Sequence, residues 1–170
     1  MALLAIAPYP MPATDDLPAN RVGWTVDPSR AVRLVHDLQN HFLSAYDPAA
    51  SPIPELVSHV AELKKSAARR LGVPVLHTAQ PGGQSPQQRG LQQDFWGPGL
   101  PADPHAASIA EAVAPDQGDT VLTKWKYSGF VRTGLLERLR EQGRDQAMAL
   151  HWAAGGCAVV TSTRAVFEGS

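Results

Sequence analysis

The sequence predicts an α/β protein built as a three-layer parallel sheet with helices on both faces. Three observations carry that prediction. Short apolar runs alternate with stretches of helical periodicity. Two of the runs stop abruptly at polar residues, His36-Asp37 and Lys124, as strands do when a site lies at their carboxyl ends. Gly72 and Gly143 punctuate the ends of the helical stretches.

The elements follow in order. Residues 2–28 are rich in proline and aspartate, show no sustained period, and read as an arm crossing a surface. Ala31 to Val35 is the first strand. Ser51 caps a helix whose first turn holds Pro52 and Pro54, and Leu56, Val57, Val60, Leu63 and Ala67 give it an apolar face. Val73 to Thr78 is the second strand. A polar stretch from Ala79 to Pro104, rich in Gly, Pro and Gln, forms a long loop, and loops of that length in a compact domain are usually functional. Ser108 to Ala114 is a short helix, Thr120 to Thr123 the third strand, and Thr133 to Gln142 a helix packed through Leu135, Leu136 and Leu139. The alternation then fails. Ala147 to Ala154 contains Ala, Met and Leu and reads as a further helix, followed by a strand at Ala158 to Thr161.

The bulk composition narrows the function classes. In 170 residues, Lys+Arg 15 against Asp+Glu 16 gives a net charge of -1, so no broad positive field exists for nucleic acid. No apolar run reaches membrane-spanning length. Cys157 is the sole cysteine, which excludes an internal disulfide and fits a reducing, cytoplasmic setting.

Asp37 and Lys124 stand at predicted strand ends and would point into one crevice; a turn-forming Asp and a solvated Lys are the plainer alternatives. Gln80 and Arg89 lie in the long loop, where Arg suits a carboxylate through its forked donors or simply belongs to a polar surface. Phe95, Trp96, Trp125 and Tyr127 either wall a pocket or pin the loop to the body. His36, His41 and His77 match no standard zinc spacing and no cysteine pair joins them, so no metal is expected. No glycine-rich phosphate loop is present and no cofactor is expected.

Four segments carry a family resemblance. His36-Asp37-Leu38-Gln39-Asn40-His41-Phe42 resembles the first active-site segment of the isochorismatase superfamily. Thr78-Ala79-Gln80-Pro81-Gly82, Gln87-Gln88-Arg89-Gly90-Leu91 and Asp94-Phe95-Trp96-Gly97-Pro98-Gly99 resemble its substrate loop. Leu122 to Phe130 resembles its lysine segment, and Ile6 to Pro12 is similar to the opening of isochorismatases of siderophore and phenazine pathways. The resemblance implies a six-stranded parallel sheet and a single domain over 1–170, with an arm at 1–28, a core at 29–146 and a C-terminal helix and strand at 147–170. It implies hydrolysis of isochorismate, or of its 2-amino-2-deoxy analogue, to pyruvate and a dihydro-aromatic acid. Asp37 would be the general acid and Lys124 its partner; Gln80, Arg89, Phe42, Trp96 and Tyr127 would bind the substrate, a small chorismate-derived dianion. A homodimer is implied too. Amidase relatives use an Asp-Lys-Cys triad, but Cys157 matches a buried residue entering the last strand rather than the nucleophile.

One departure matters. Past Gln146 the family continues with a strand, a Gly-Val-Tyr-Ala-His-like turn, a helix and another strand, whereas Met148 to Thr161 resembles the family's final helix and strand. Roughly 30 to 40 residues, about one supersecondary unit, are missing. The first strand is then expected to lose a neighbour, or the last strand to slide inward, at a cost of about 1–3 kcal/mol for each buried unpaired group. The expected outcome is slow turnover and marginal stability, checked by comparing isochorismate hydrolysis and thermal melting with a full-length relative.

Overall fold

The computed structural model describes residues 3–16, 19, 23, 25–152 and 158–162, with the side chains of 67–69 and 158–162 outside that description. Cys157 and the last residues of the predicted 147–154 helix also lie outside the described residues.

Five strands form one sheet in the order β3-β2-β1-β4-β5. They are β1 (Ala31–His36), β2 (Val75–Ala79), β3 (Thr120–Thr123), β4 (Gln146–His151) and β5 (Ala158–Ser162). The first four run parallel, and β5 is antiparallel to β4. The helices are α1 (Asn40–Leu43), α2 (Ile53–Arg70), α3 (Pro86–Arg89), α4 (Gln92–Trp96), α5 (Pro104–Ala107) and α6 (Leu135–Glu141).

The two-residue period of β1 sorts its side chains into two cores. Val35 joins Val75 beneath Leu56 and Val60 of α2, with Val113 of a 3₁₀ turn (Glu111–Val113) closing that layer. Val32 and Leu34 join Leu76 and Leu122 against Leu135 and Leu139 of α6. Helices therefore cover both faces, as the sequence predicts. Ile6, Tyr9 and Met11 pack on the α2 side, and the arm is held by backbone bonds from Ile6 to Ala45 (2.7 Å) and Tyr9 to Ser51 (3.1 Å).

The segment predicted as a helix from Ala147 is instead β4. It pairs with β1 over six residues, from Ala31↔Gln146 to His36↔His151. Propensity favours helix for Ala, Met and Leu, but tertiary demand overrides it. The backbone of β1 has a full ladder to offer on that side, and the run Gln146 to Leu150 is apolar enough to be covered on both faces, as a parallel strand must be. Neither expected consequence of the gap arises: β1 keeps two neighbours, and the strand beside it is 146–151 rather than the last one. The sheet has five strands among the described residues, not the six the resemblance implies. The predicted Ser108–Ala114 helix is also displaced: helix α5 ends at Ala107 and the 3₁₀ turn follows, with Ile109 bridging to Gln39 between them.

Leu150 is 2% exposed and sits in the α2-side core, whereas Val121 on β3 is 51% exposed. Leu150→Ala is expected to lower unfolding free energy by about 2–5 kcal/mol, and Val121→Ala by no more than about 0.5 kcal/mol. Urea denaturation of both variants checks the placement of β4.

Candidate active site

The carboxyl ends of β1, β2 and β3 converge on one carboxylate. Asp37 follows β1 directly and takes a left-handed backbone (φ 53°), a conformation uncommon outside glycine that Asp tolerates better than most. Its backbone N–H donates to the Thr78 carbonyl at 3.1 Å, which continues the β1–β2 ladder by one step. Its carboxylate accepts from three side chains. Oδ1 accepts from Thr78 Oγ1 at 2.9 Å, Oδ2 accepts from Gln80 Nε2 at 2.9 Å, and Lys124 Nζ pairs with Oδ2. Lys124 is placed by the ladder too, its N–H donating to the Ala79 carbonyl at 2.9 Å. Asp37 and Lys124 are both buried.

Burial pushes the Asp37 carboxyl upward, but the charges of His36 and Lys124 and the hydrogen bonds from Lys124 and Gln80 outweigh it. The net position is below the ordinary 3.8, so without substrate this group is a carboxylate.

Thr78 Oγ1 also meets His36 Nδ1 at 2.7 Å. The hydroxyl has one proton and gives it to Asp37, so it accepts from His36 Nδ1–H, and Nε2 keeps the ring's lone pair. Burial lowers His36 to about 4, with the Asp37 charge pulling the other way. His151, from the end of β4, lies with its ring 5.0 Å from that of His36, and burial lowers it as well.

The predicted site residues divide into two groups. Asp37, Lys124 and Gln80 meet directly. Arg89 is buried but turned into its own loop, donating to the Gly97 carbonyl at 3.2 Å through Nε and 3.1 Å through Nη2. Gly99 packs so tightly on this guanidinium that an added Cβ would lie 2.9 Å from Arg89 Cζ. Phe42 is buried and stacked on Trp152 (4.9 Å, 11°). Trp96 and Tyr127 are 66% and 74% exposed. A cavity of ≈ 490 Å³ beside the loop is lined by residues such as His41, Gln84 and Pro101, and touches neither Asp37 nor Lys124.

Sequence reasoning missed the residues that hold this arrangement. Gln39 is fully buried; it donates to the Gln80 and Ala107 carbonyls (2.8 and 2.6 Å) and accepts from the Gln80 N–H at 2.8 Å. It thereby fixes the start of the loop from which Gln80 reaches Asp37. Its signal is its place two residues after Asp37, inside the segment that resembles the family's first active-site segment. Thr78 ends the predicted second strand and opens the segment that resembles the substrate loop, but no role is read for it from the sequence. His151 falls in the predicted 147–154 helix and carries no site signal, whereas it ends β4.

His36 contributes to the acid stability. Unfolded, His36 takes a proton near 6.5; folded, near 4. Between those values the unfolded chain binds more protons, so stability falls as pH drops from 6.5 and this contribution levels off below about 4. Urea midpoints across that range are expected to decline with acidification, and less steeply in His36→Phe.

Comparison with known proteins agrees with this architecture. The profile of the isochorismatase domain matches residues 31–168. The isochorismatase of Bacillus subtilis (strain 168) is 48% identical over 169 residues, covering 99% of this chain and 54% of that protein. Phenazine biosynthesis protein PhzD of Pseudomonas fluorescens is 48% identical over 142 residues, covering 84% of this chain and 67% of that protein. The chain thus spans about half the length of the Bacillus relative. Among solved structures, a cysteine hydrolase from Pseudomonas syringae pv. phaseolicola 1448A superposes with a TM-score of 0.65 at 24% identity, over 78% of this chain and 64% of that one, a likeness of fold alone. With a family profile spanning most of its length and relatives near half-identical along it, the chain belongs to the isochorismatase family.

Proposed function

We propose that this chain is a vinyl-ether hydrolase that cleaves the enol-pyruvyl ether of isochorismate or its 2-amino-2-deoxy analogue by acid catalysis. The single observation behind the reading is the buried Lys124–Asp37 pair with Gln80 at the carboxyl rim of a parallel sheet. The names of the Bacillus and Pseudomonas relatives support the substrate class.

The chemistry starts from an ionised Asp37. A substrate dianion entering beside Lys124 brings negative charge toward the carboxylate, raises its proton affinity and draws a proton onto it. Asp37 then gives that proton to the vinyl CH₂ carbon, and an oxocarbenium ion forms at the ether carbon. Water adds there and loses a proton, which restores the carboxyl. The hemiketal collapses, the C–O bond to the ring breaks, and pyruvate leaves with the ring alcohol. Lys124 stabilises negative charge on substrate oxygen, and Gln80 and Arg89 hold carboxylate, Arg89 after releasing Gly97. Phe42, Trp96 and Tyr127 contact the ring, the two exposed aromatics by folding over bound substrate. No cofactor enters any step, and no thiol is needed because no acyl intermediate forms.

The same reading makes the chain one cytoplasmic domain, spanning 1–170 and acting as a homodimer. The stretch missing after Gln146 includes the family's Gly-Val-Tyr-Ala-His-like turn, and turnover is slower for it.

Pyruvate release from isochorismate, followed by a lactate dehydrogenase couple, tests the proposal. Asp37→Asn is expected to lower kcat by at least about a hundredfold. In the wild-type kcat profile the group that must be protonated is expected to titrate above the ordinary Asp value of about 3.9, with activity lost as pH rises past it. Iodoacetamide is expected to leave the rate unchanged; loss of activity would point to a cysteine amidohydrolase instead.

A further inference from the structure

The end of β4 brings His151 to the rim that already carries His36 and Asp37. One ring nitrogen of each histidine and one Asp37 carboxylate oxygen lie within 4.8 Å of one another. We propose that His36, Asp37 and His151 form a binding site for a borderline transition-metal dication, of which Zn²⁺ and Ni²⁺ are representative.

Two imidazoles and a carboxylate are the donor set that such ions prefer, whereas Mg²⁺ and Ca²⁺ take oxygen ligands. Metal–ligand distances of about 2.0–2.2 Å put the donor atoms of a tetrahedral ion about 3.4 Å apart, so the three side chains close by at most roughly 1.4 Å. The supporting contacts are in place. Thr78 Oγ1 accepts from His36 Nδ1–H, which commits that ring to the tautomer whose Nε2 can bind a metal, and the same hydroxyl donates to Asp37. Metal-bound histidines are oriented in this way by an acceptor on their second nitrogen. Burial also keeps both imidazoles neutral, the state a metal requires.

Lys124 is the competitor. Its ammonium pairs with the Asp37 carboxylate, and a dication would share that carboxylate against direct repulsion. Affinity in the wild-type chain is therefore held down, and an ion that does bind occupies the group proposed as the acid. Metal would act here as an inhibitor rather than as a cofactor. The inference does not rest on the hydrolase reading, because metal binding is measured without substrate.

Isothermal titration of the full chain with NiCl₂ and ZnCl₂ near neutral pH tests it, with MgCl₂ and CaCl₂ as controls. One saturable site for Ni²⁺ and Zn²⁺ is expected, and none for Mg²⁺ or Ca²⁺. His151→Ala should weaken binding at least about tenfold, and Lys124→Met should tighten it. Cys157→Ser and His59→Ala, the latter at an exposed position on α2, should leave it unchanged. The unmodified chain gives a second readout that needs no variant to fold. Ni²⁺ should protect His36 and His151 from diethyl pyrocarbonate, read by mass spectrometry, and should not protect the exposed His59 and His105. Absence of saturable binding up to millimolar metal, full binding by His151→Ala, loss of binding in Cys157→Ser, or equal modification of His36 and His151 with and without Ni²⁺ would each overturn the site.

Discussion

The buried pair of Lys124 and Asp37 is the interaction on which the arrangement of the rim depends. Removing two charges from water costs several kcal/mol per ion, and their attraction offsets that only when the remaining lone pairs are satisfied. Here the second carboxylate oxygen accepts from Thr78, and Gln80 donates beside the lysine. These donors come from the ends of β2 and β3 and can meet Asp37 only if the three strands hold their register. That register is observed: His36 opposite Thr78, and Ala79 opposite Thr123. A slip of one residue in either ladder would turn Thr78 or Lys124 to the opposite face of the sheet and leave a buried carboxylate without partners.

The strand on the other side of β1 shows how a short chain closes its sheet. A strand inside the sheet is paired on both edges, and Gln146 to His151 meets this with β1 on one side and β5 on the other. Covering β1 in this way has a consequence for the rim. His36 and His151 are register partners at the last rung, so their rings are forced together next to Asp37. Trp152, one residue further, stacks on Phe42, and its carbonyl accepts from the Tyr46 hydroxyl at 3.1 Å. The last turn of this edge is thereby tied to the segment that follows Asp37.

The part of the loop after β2 that runs from Ser85 to Gly97 is organised by polar contacts rather than by apolar packing. Ser85 and Gln88 form a reciprocal cap on α3, Arg89 binds the Gly97 carbonyl, and Lys126 reaches back to the Gln88 carbonyl at 2.7 Å. Leu91, Phe95 and Trp96 stay on the outside. Such a loop can exchange its internal partners for a charged ligand without disturbing a core, which suits a segment that closes over a substrate.

Much of this was legible from the sequence. Strands β1, β2 and β3 and helices α2 and α6 announce themselves through period and punctuation, because each buries a local apolar pattern. Asp37 and Lys124 could be named because strand ends in a parallel sheet share one edge, and Gln80 because its loop starts there. What the sequence could not decide was the conformation of residues 146–151. Ala, Met and Leu favour a helix locally, and only the unpaired edge of β1 makes a strand the better state. For the same reason the meeting of His36 with His151, and the inward turn of Arg89, were beyond reach: both depend on contacts between residues with no local signature, and such contacts exist only once the sheet is assembled.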